Sequence, residues 1–238
     1  DAWNLGLART CGDVVVLLND DDVLLPGALQ DLAVSDEAGV VGWAVTVAAG
    51  RCRAVPDDGR LPLELVLFGP LNFNARFWRR SALEDLGPFD PSFRLAVDRE
   101  MALRARHRGY RFRPLDRPVY AYLTDAGSRT FVPDAHGLRT MHTEQLRLLE
   151  SLAGDEAGIA RSAAAIADLW LAVEEERAGR PGHPTAALRA LRRRWRDSGA
   201  LLRWFLVHHR RRQPRSPTLI DCEPIRRAVD PQGWTEVP

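Results

Sequence analysis

Lysine is absent from this 238-residue sequence, and all 33 basic residues are Arg. Uniform arginine usage reads as a coding bias, so no function is drawn from it. Against 32 acids the net charge is only +1 at pH 7. No nucleic-acid-binding motif is present, and near-neutrality argues against a general nucleic-acid binder. Cysteine is scarce too: Cys11, Cys52 and Cys222 are far apart and have neither CxxC nor His-paired ligand spacing. The expectation is a reduced, cytoplasmic compartment. No apolar run approaches the roughly 18 residues of a membrane-spanning helix, and no signal-peptide pattern opens the chain. No repeat with a period of 20 to 50 residues is visible. The first residue is Asp1, within what reads as a helix, so residues upstream are expected to be missing.

What remains is an ordinary globular composition, 45% hydrophobic and 27% charged, which excludes collagen-like and wholly disordered classes. The length suggests one or two domains of about 150 residues. Trp3 to Ala8, with Gly12 behind it, reads as the end of a helix. Val14 to Leu18 is a short apolar, β-branched run read as a buried parallel strand. Pro26 marks the start of a further helix over Ala28 to Ala33. Val40 to Val47 and Asn72 to Trp78 read as strands, 50–62 as a loop, and Arg80 to Gly87 and Leu95 to His107 as helices. Two short strands follow, Tyr110 to Pro114 and Val119 to Leu123. Beyond a soft boundary near Pro133 the texture becomes helical: Leu138 to Leu152, Ile159 to Arg177 and Thr185 to His209, with an extended or disordered tail after Gln213. Residues 1–135 carry 16 Arg against 19 acids, and 136–238 carry 17 against 13. The expected architecture is therefore an α/β domain over 1–135 and a helical accessory region over 136–238.

Two features carry chemistry. Asp20, Asp21 and Asp22 follow directly on the strand at Val14 to Leu18, and ligands of open α/β sheets sit at the carboxyl ends of strands. Adjacent carboxylates repel, and hard oxygen donors suit Mg2+ or Mn2+. Alternatively, one Asp caps the next helix and the others are solvated. Asp98 lies at or near a helix start, where the dipole favours its anion and a carboxylate can take a proton from a hydroxyl. The plain alternative makes Asp98 a cap and Glu100 with Arg104 a surface pair.

In order and spacing these segments resemble the catalytic domain of family 2 nucleotide-sugar glycosyltransferases, which have the GT-A fold. The similarity covers roughly Ala2 to Thr130. Gly12-Asp13-Val14-Val15-Val16 and the acid run resemble the approach to the metal-binding DxD motif. Phe73-Asn74, Phe77-Trp78-Arg79-Arg80-Ser81 and Leu86-Gly87-Pro88-Phe89-Asp90 resemble the acceptor-side segment, and Asp98-Arg99-Glu100 the segment of the catalytic base. The resemblance implies an inverting transfer from a nucleotide-sugar donor to a saccharide or lipid-linked acceptor, as in cell-surface polysaccharide synthesis. It implies Mn2+ or Mg2+ held within Asp20, Asp21 and Asp22, Asp98 as base, and Asn74, Trp78, Arg79, Arg99 and Glu100 near donor or acceptor.

Two departures stand out. Asn19 occupies the place of the motif's first acid, leaving the register open between Asp20-Asp21 and Asp21-Asp22. Asp125-Ala126-Gly127-Ser128 replaces a stretch that often has His before Gly-Ser, and Asp125 reads as a turn former. The family's nucleoside-binding segment would lie upstream, so this segment alone is expected to bind sugar nucleotide poorly. Two rival classes are a metal-dependent nucleotidyltransferase and a non-catalytic sugar-binding or scaffold module.

Residues 189–215 hold ten Arg and one acid, with Trp195, Trp204 and Phe205 interleaved. A helix here packs on the core or lies against an anionic membrane, so 189–212 is a candidate peripheral contact at the inner membrane face. His136, His142, His208 and His209 lack zinc companions and read as structural or surface residues. Trp43, Trp78 and Trp170 read as core, with Trp78 also a candidate to stack on a sugar.

Overall fold

A central ten-residue strand organises the chain. In the computed structural model, which describes residues 2–33, 36–48, 51–69, 71–123, 135–177, 179, 183, 185, 218–223 and 225, this strand is β3 (Gly39–Ala48). Its alternation directs Val40 and Ala44 into one core cluster, with Phe77, Val119 and Tyr120, and Val45 and Val47 into another, with Ala54, Ala121 and Ile225. Around it lie α1 (Ala2–Arg9), β1 (Val14–Val16), β2 (Val23–Leu24), β4 (Arg51–Val55), α2 (Leu63–Phe68), β5 (Arg76–Arg79), α3 (Arg80–Leu86), α4 (Val97–His107) and β6 (Phe112–Leu123). Later come α5 (Ala135–Glu150), α6 (Ala157–Arg177) and β7 (Thr218–Ile220).

One edge of β3 pairs antiparallel with β5 at Gly39 to Val41 and with β4 at Ala44 to Ala48. β6 runs parallel to β3, and β2 adds antiparallel to β6. β1 extends the sheet beyond β5, and β7 beyond β4. The class is thus mixed α/β, as the sequence pattern implies.

Several local expectations are corrected. β1 pairs antiparallel, with Val15 opposite Trp78, rather than parallel. The two strands read at 110–114 and 119–123 are one strand with an irregularity, where the register jumps from Val41 opposite Pro114 to Trp43 opposite Pro118. The prolines cannot donate to the ladder, and the break read in the sequence is this bulge. Beside it β6 comes so close that a Cβ on Gly42 would lie 2.4 Å from Val119. The helix expected after Pro26 is a set of turns instead. Gly27 and Asp31 take left-handed φ of 79° and 57°, which helical propagation forbids. Arg117 then donates to the Gly27 and Gln30 carbonyls at 3.3 and 2.6 Å, and to the Asp31 carboxylate at 2.9 Å.

The loop expected over 50–62 contains β4, in which Cys52 and Ala54 point inward between exposed Arg51 and Arg53. Of the tail, expected to be extended or disordered, Thr218–Ile220 is an extended strand. β7 pairs with β4, and Cys222 forms a disulfide with Cys52 across 170 residues. Cys52 and Cys222 are thus paired, contrary to the reduced compartment expected from the cysteine spacing, and Cys11 is the free, exposed one.

The chain divides into two compact units, one of Asp1–Pro91, Met101–Gly127 and Pro214–Pro238, the other of Ser92–Glu100 and Ser128–Gln213. In the second unit α5 and α6 are joined by Arg139 to Glu175 at 2.9 Å and His142 to Asp168 at 2.8 Å. The first unit buries an ion pair, Arg76 Nη2 to Asp57 Oδ2 at 2.7 Å, with the guanidinium 4.7 Å from the Phe112 ring centroid.

Candidate active site at the acidic turn

Beyond β1 the chain leaves the sheet after Val16, turns through Asp20 and Asp21, and re-enters at β2. The three carboxylates do not share an environment. Asp20 and Asp21 are exposed, whereas Asp22 is 7% exposed. Burying a carboxylate requires partners, and Asp22 has three. Asn19 Nδ2 donates to Oδ2 at 2.9 Å, Leu123 N–H donates to Oδ1 at 2.9 Å, and the Tyr120 hydroxyl donates to Oδ2. Tyr120 accepts in turn from Asn74 Nδ2 at 2.8 Å. Burial outweighs these hydrogen bonds and raises the Asp22 carboxyl above its ordinary range, with a further push from Asp21. Burial and the Asp22 contact also raise the Tyr120 hydroxyl, so it stays a donor.

The network joins three segments: the acidic turn, the short 3-10 turn Phe73–Ala75 that leads into β5, and the end of β6. Asn72, at the start of that turn, has a left-handed φ of 48° and donates from Nδ2 to the Val55 carbonyl at 3.0 Å. Asn74 is thereby directed toward Tyr120. The sequence points to Asn74 but gives no part to Tyr120, which reads as any aromatic strand residue.

Trp78 requires a correction. It is fully buried, 4.7 Å centroid to centroid from Phe112 and 5.5 Å from Phe73, and it presents no face to a sugar. Arg79 is half-buried, and its backbone N–H bonds the Ala38 carbonyl at 2.8 Å. Arg80 reaches the Gly12 carbonyl at 2.7 Å and Thr10 Oγ1 at 2.9 Å, tying α3 to the approach to β1.

Asp98, Arg99 and Glu100 lie in the second unit, all half-buried, in the first turn of α4. Asp98 Oδ1 accepts from the Arg99 N–H at 2.8 Å. Desolvation raises its carboxyl, against a lowering by the Arg99 charge and that hydrogen bond. A carboxylate with raised proton affinity is a stronger base. Arg104, one turn on, extends to the Pro88 carbonyl at 2.9 Å.

No group of three or more His, Cys, Asp or Glu among the described residues could enclose a metal ion. This is compatible with Mg2+ or Mn2+ held by one or two carboxylates together with substrate phosphates, the usual arrangement for such ions. Asp20 and Asp21 fit that role as exposed oxygen donors, while Asp22 has its oxygens engaged. Asp125, Gly127 and Ser128, the basic stretch 189–215, and His208 and His209 lie outside the described residues. No helix among the described residues is long and apolar enough to cross a membrane.

No protein-family model matches the chain, and no curated protein matches it.

Proposed function

We propose that the chain belongs to an inverting, metal-dependent glycosyltransferase of GT-A architecture that moves a sugar from a nucleotide diphosphate to an acceptor hydroxyl. The observation that carries this reading is the acidic turn. A buried, hydrogen-bonded Asp22 holds a strand-end loop on which Asp20 and Asp21 remain exposed. A separate carboxylate, Asp98, has raised basicity at a helix start. The mixed α/β sheet is compatible with the fold, and the segment order supports the family.

Asp20 and Asp21 would hold the divalent cation, which when bound neutralises charge on the leaving diphosphate. Asp98 accepts the proton of the acceptor hydroxyl. The oxygen then bonds to the anomeric carbon as the bond from that carbon to the diphosphate oxygen breaks. The electron pair leaves with the nucleotide, the proton stays on Asp98, and attack from the opposite face inverts the configuration. Asn74, Arg79, Arg99 and Glu100 are the proposed donor- or acceptor-side residues, acting by orientation. The acceptor is a saccharide or lipid-linked saccharide, with 189–212 as a peripheral membrane contact.

The rival reading is a non-catalytic sugar-binding module, favoured by Asn19 in place of the motif's first acid. The test uses the full-length protein. Asp98→Asn is expected to retain donor binding by calorimetry and to lose transfer, and the wild-type product should show inverted anomeric configuration by NMR. Retained configuration, or transfer unaffected in Asp98→Asn, rejects the mechanism; donor binding without turnover in the wild type selects the rival.

A further inference from the structure

Glu144 lies in the middle of α5, far in sequence from every residue assigned a role so far, yet its side chain is 4% exposed. A carboxylate so deeply buried must be compensated, and here the partners are three successive backbone amides. Arg94 N–H donates to Oε1 at 2.7 Å, and Leu95 and Ala96 N–H donate to Oε2 at 2.8 Å each. One helical turn later on α5, Arg147 grips the same segment. Its guanidinium reaches Ser92 Oγ at 2.8 Å and the Ser92 carbonyl at 3.2 Å, and lies 4.5 Å from the Phe93 ring centroid. Two side chains three positions apart thus fasten residues 92–96, immediately before Asp98 in the same unit.

The position of these contacts matters more than their number. Ala96 is the residue whose carbonyl accepts the Glu100 N–H at 3.0 Å, the first intrahelical bond of α4. Fixing the amides of 94–96 sets where α4 begins, and Asp98 is its second residue. A charge-assisted bond from each amide makes this a stiff anchor rather than a packing contact.

We propose that Glu144 is a positioning residue for Asp98: its carboxylate fixes residues 94–96 and thereby the orientation of the base at the start of α4. The assignment rests on the transferase reading, because it gives Asp98 a reaction to serve. A displaced base loses rate without weakening the ground-state complex, whereas general damage to the fold affects both.

The test measures kcat and donor KM in the full-length protein for wild type, Glu144→Gln, Asp98→Asn and the double variant, beside amide hydrogen exchange at 94–96. Glutamine keeps the size but turns an N–H2 toward backbone donors. The expected result is protected amides in the wild type that exchange about tenfold or more faster in Glu144→Gln. With it, kcat falls roughly 10- to 100-fold at nearly constant donor KM. The double variant should be no slower than Asp98→Asn, since Glu144 acts through Asp98. Unprotected amides in the wild type, an unchanged kcat, a parallel loss in KM, or a further loss in the double variant each overturns the assignment. A folded wild type with no transfer from any donor overturns the transferase reading, and this assignment with it. Should Glu144→Gln fail to fold, Arg147→Ala, which loosens the segment at Ser92 and Phe93, is held to the same kcat-against-KM criterion.

Discussion

Tyr120 donates its hydroxyl to Asp22 while accepting from Asn74 at 2.8 Å, so one phenol oxygen bridges the acidic turn and the turn ahead of β5. Both ends of the bridge are polar groups that would otherwise pay for burial. This makes Tyr120 the hinge pin of the proposed site, although it touches no substrate group in the mechanism.

Tyr120→Phe removes both bonds and adds none. The expected cost is about 1–3 kcal/mol of stability, seen as a lower thermal midpoint. The sign of its pH dependence follows from Asp22, whose carboxyl lies above its ordinary value of 3.8 in the folded state. The stability that accompanies such a raised value is present below the unfolded value and lost as pH rises through the folded one. Removing the Tyr120 donor, which favours the anion, raises it further. The destabilisation by Tyr120→Phe should therefore be larger at pH 7 than at pH 4, which denaturant unfolding at the two values checks.

Arg76 and Asp57 form an ion pair with both side chains almost wholly buried. Arg76→Met leaves the Asp57 carboxyl desolvated and without its counter-ion, at an expected cost of about 3–5 kcal/mol. Adding Asp57→Leu should recover much of that loss, because the buried carboxyl is then gone. A chemical-denaturation cycle over the two singles and the double measures it.

For Asp98, burial places the folded carboxyl above 3.8, so its protonation arrests the base at a higher pH than for a solvated aspartate. The acidic limb of kcat/KM should lie above the ordinary carboxylate range and vanish with the activity in Asp98→Asn. Initial rates across pH 4 to 8 at subsaturating donor give the limb directly.

Cys52 and Cys222 are paired and Cys11 is free. Thiol labelling of the unfolded, unreduced protein should modify one cysteine, and labelling after reduction three. Replacing both Cys52 and Cys222 by Ala opens a loop of 170 residues, and an expected loss of roughly 2–5 kcal/mol follows from the added freedom of the unfolded chain.

Much of the sheet is legible in the sequence because its signals are local. Val40 to Val47 alternates between two cores, and the apolar face of 101–105 buries Met101, Ala102, Leu103 and Ala105. What is not legible depends on distant partners. The turns after Pro26 are held by Arg117, some 90 residues away, whose guanidinium takes carbonyls a helix would have used internally. β4 carried a readable alternation in Arg51-Cys52-Arg53-Ala54, masked by the Gly, Pro and Asp that follow. At the site, the acid run and Asp98 announce themselves by type and position. The division of the run into exposed Asp20 and Asp21 and a buried Asp22 does not, because it is decided by Tyr120 and Leu123, about 100 residues on. Trp78 stands out chemically, yet its place in β5 opposite Val15 and Gly39 commits it to the core.

The most direct measurement is nucleotide release from a panel of sugar nucleotides by the full-length protein, with manganese, magnesium or chelator, beside Asp21→Ala and Asp98→Asn. The account predicts release with one donor class, abolished by chelator and reduced at least a hundredfold in each variant. Release that persists in chelator and in both variants, or a folded protein that binds a donor but never turns it over, would contradict it.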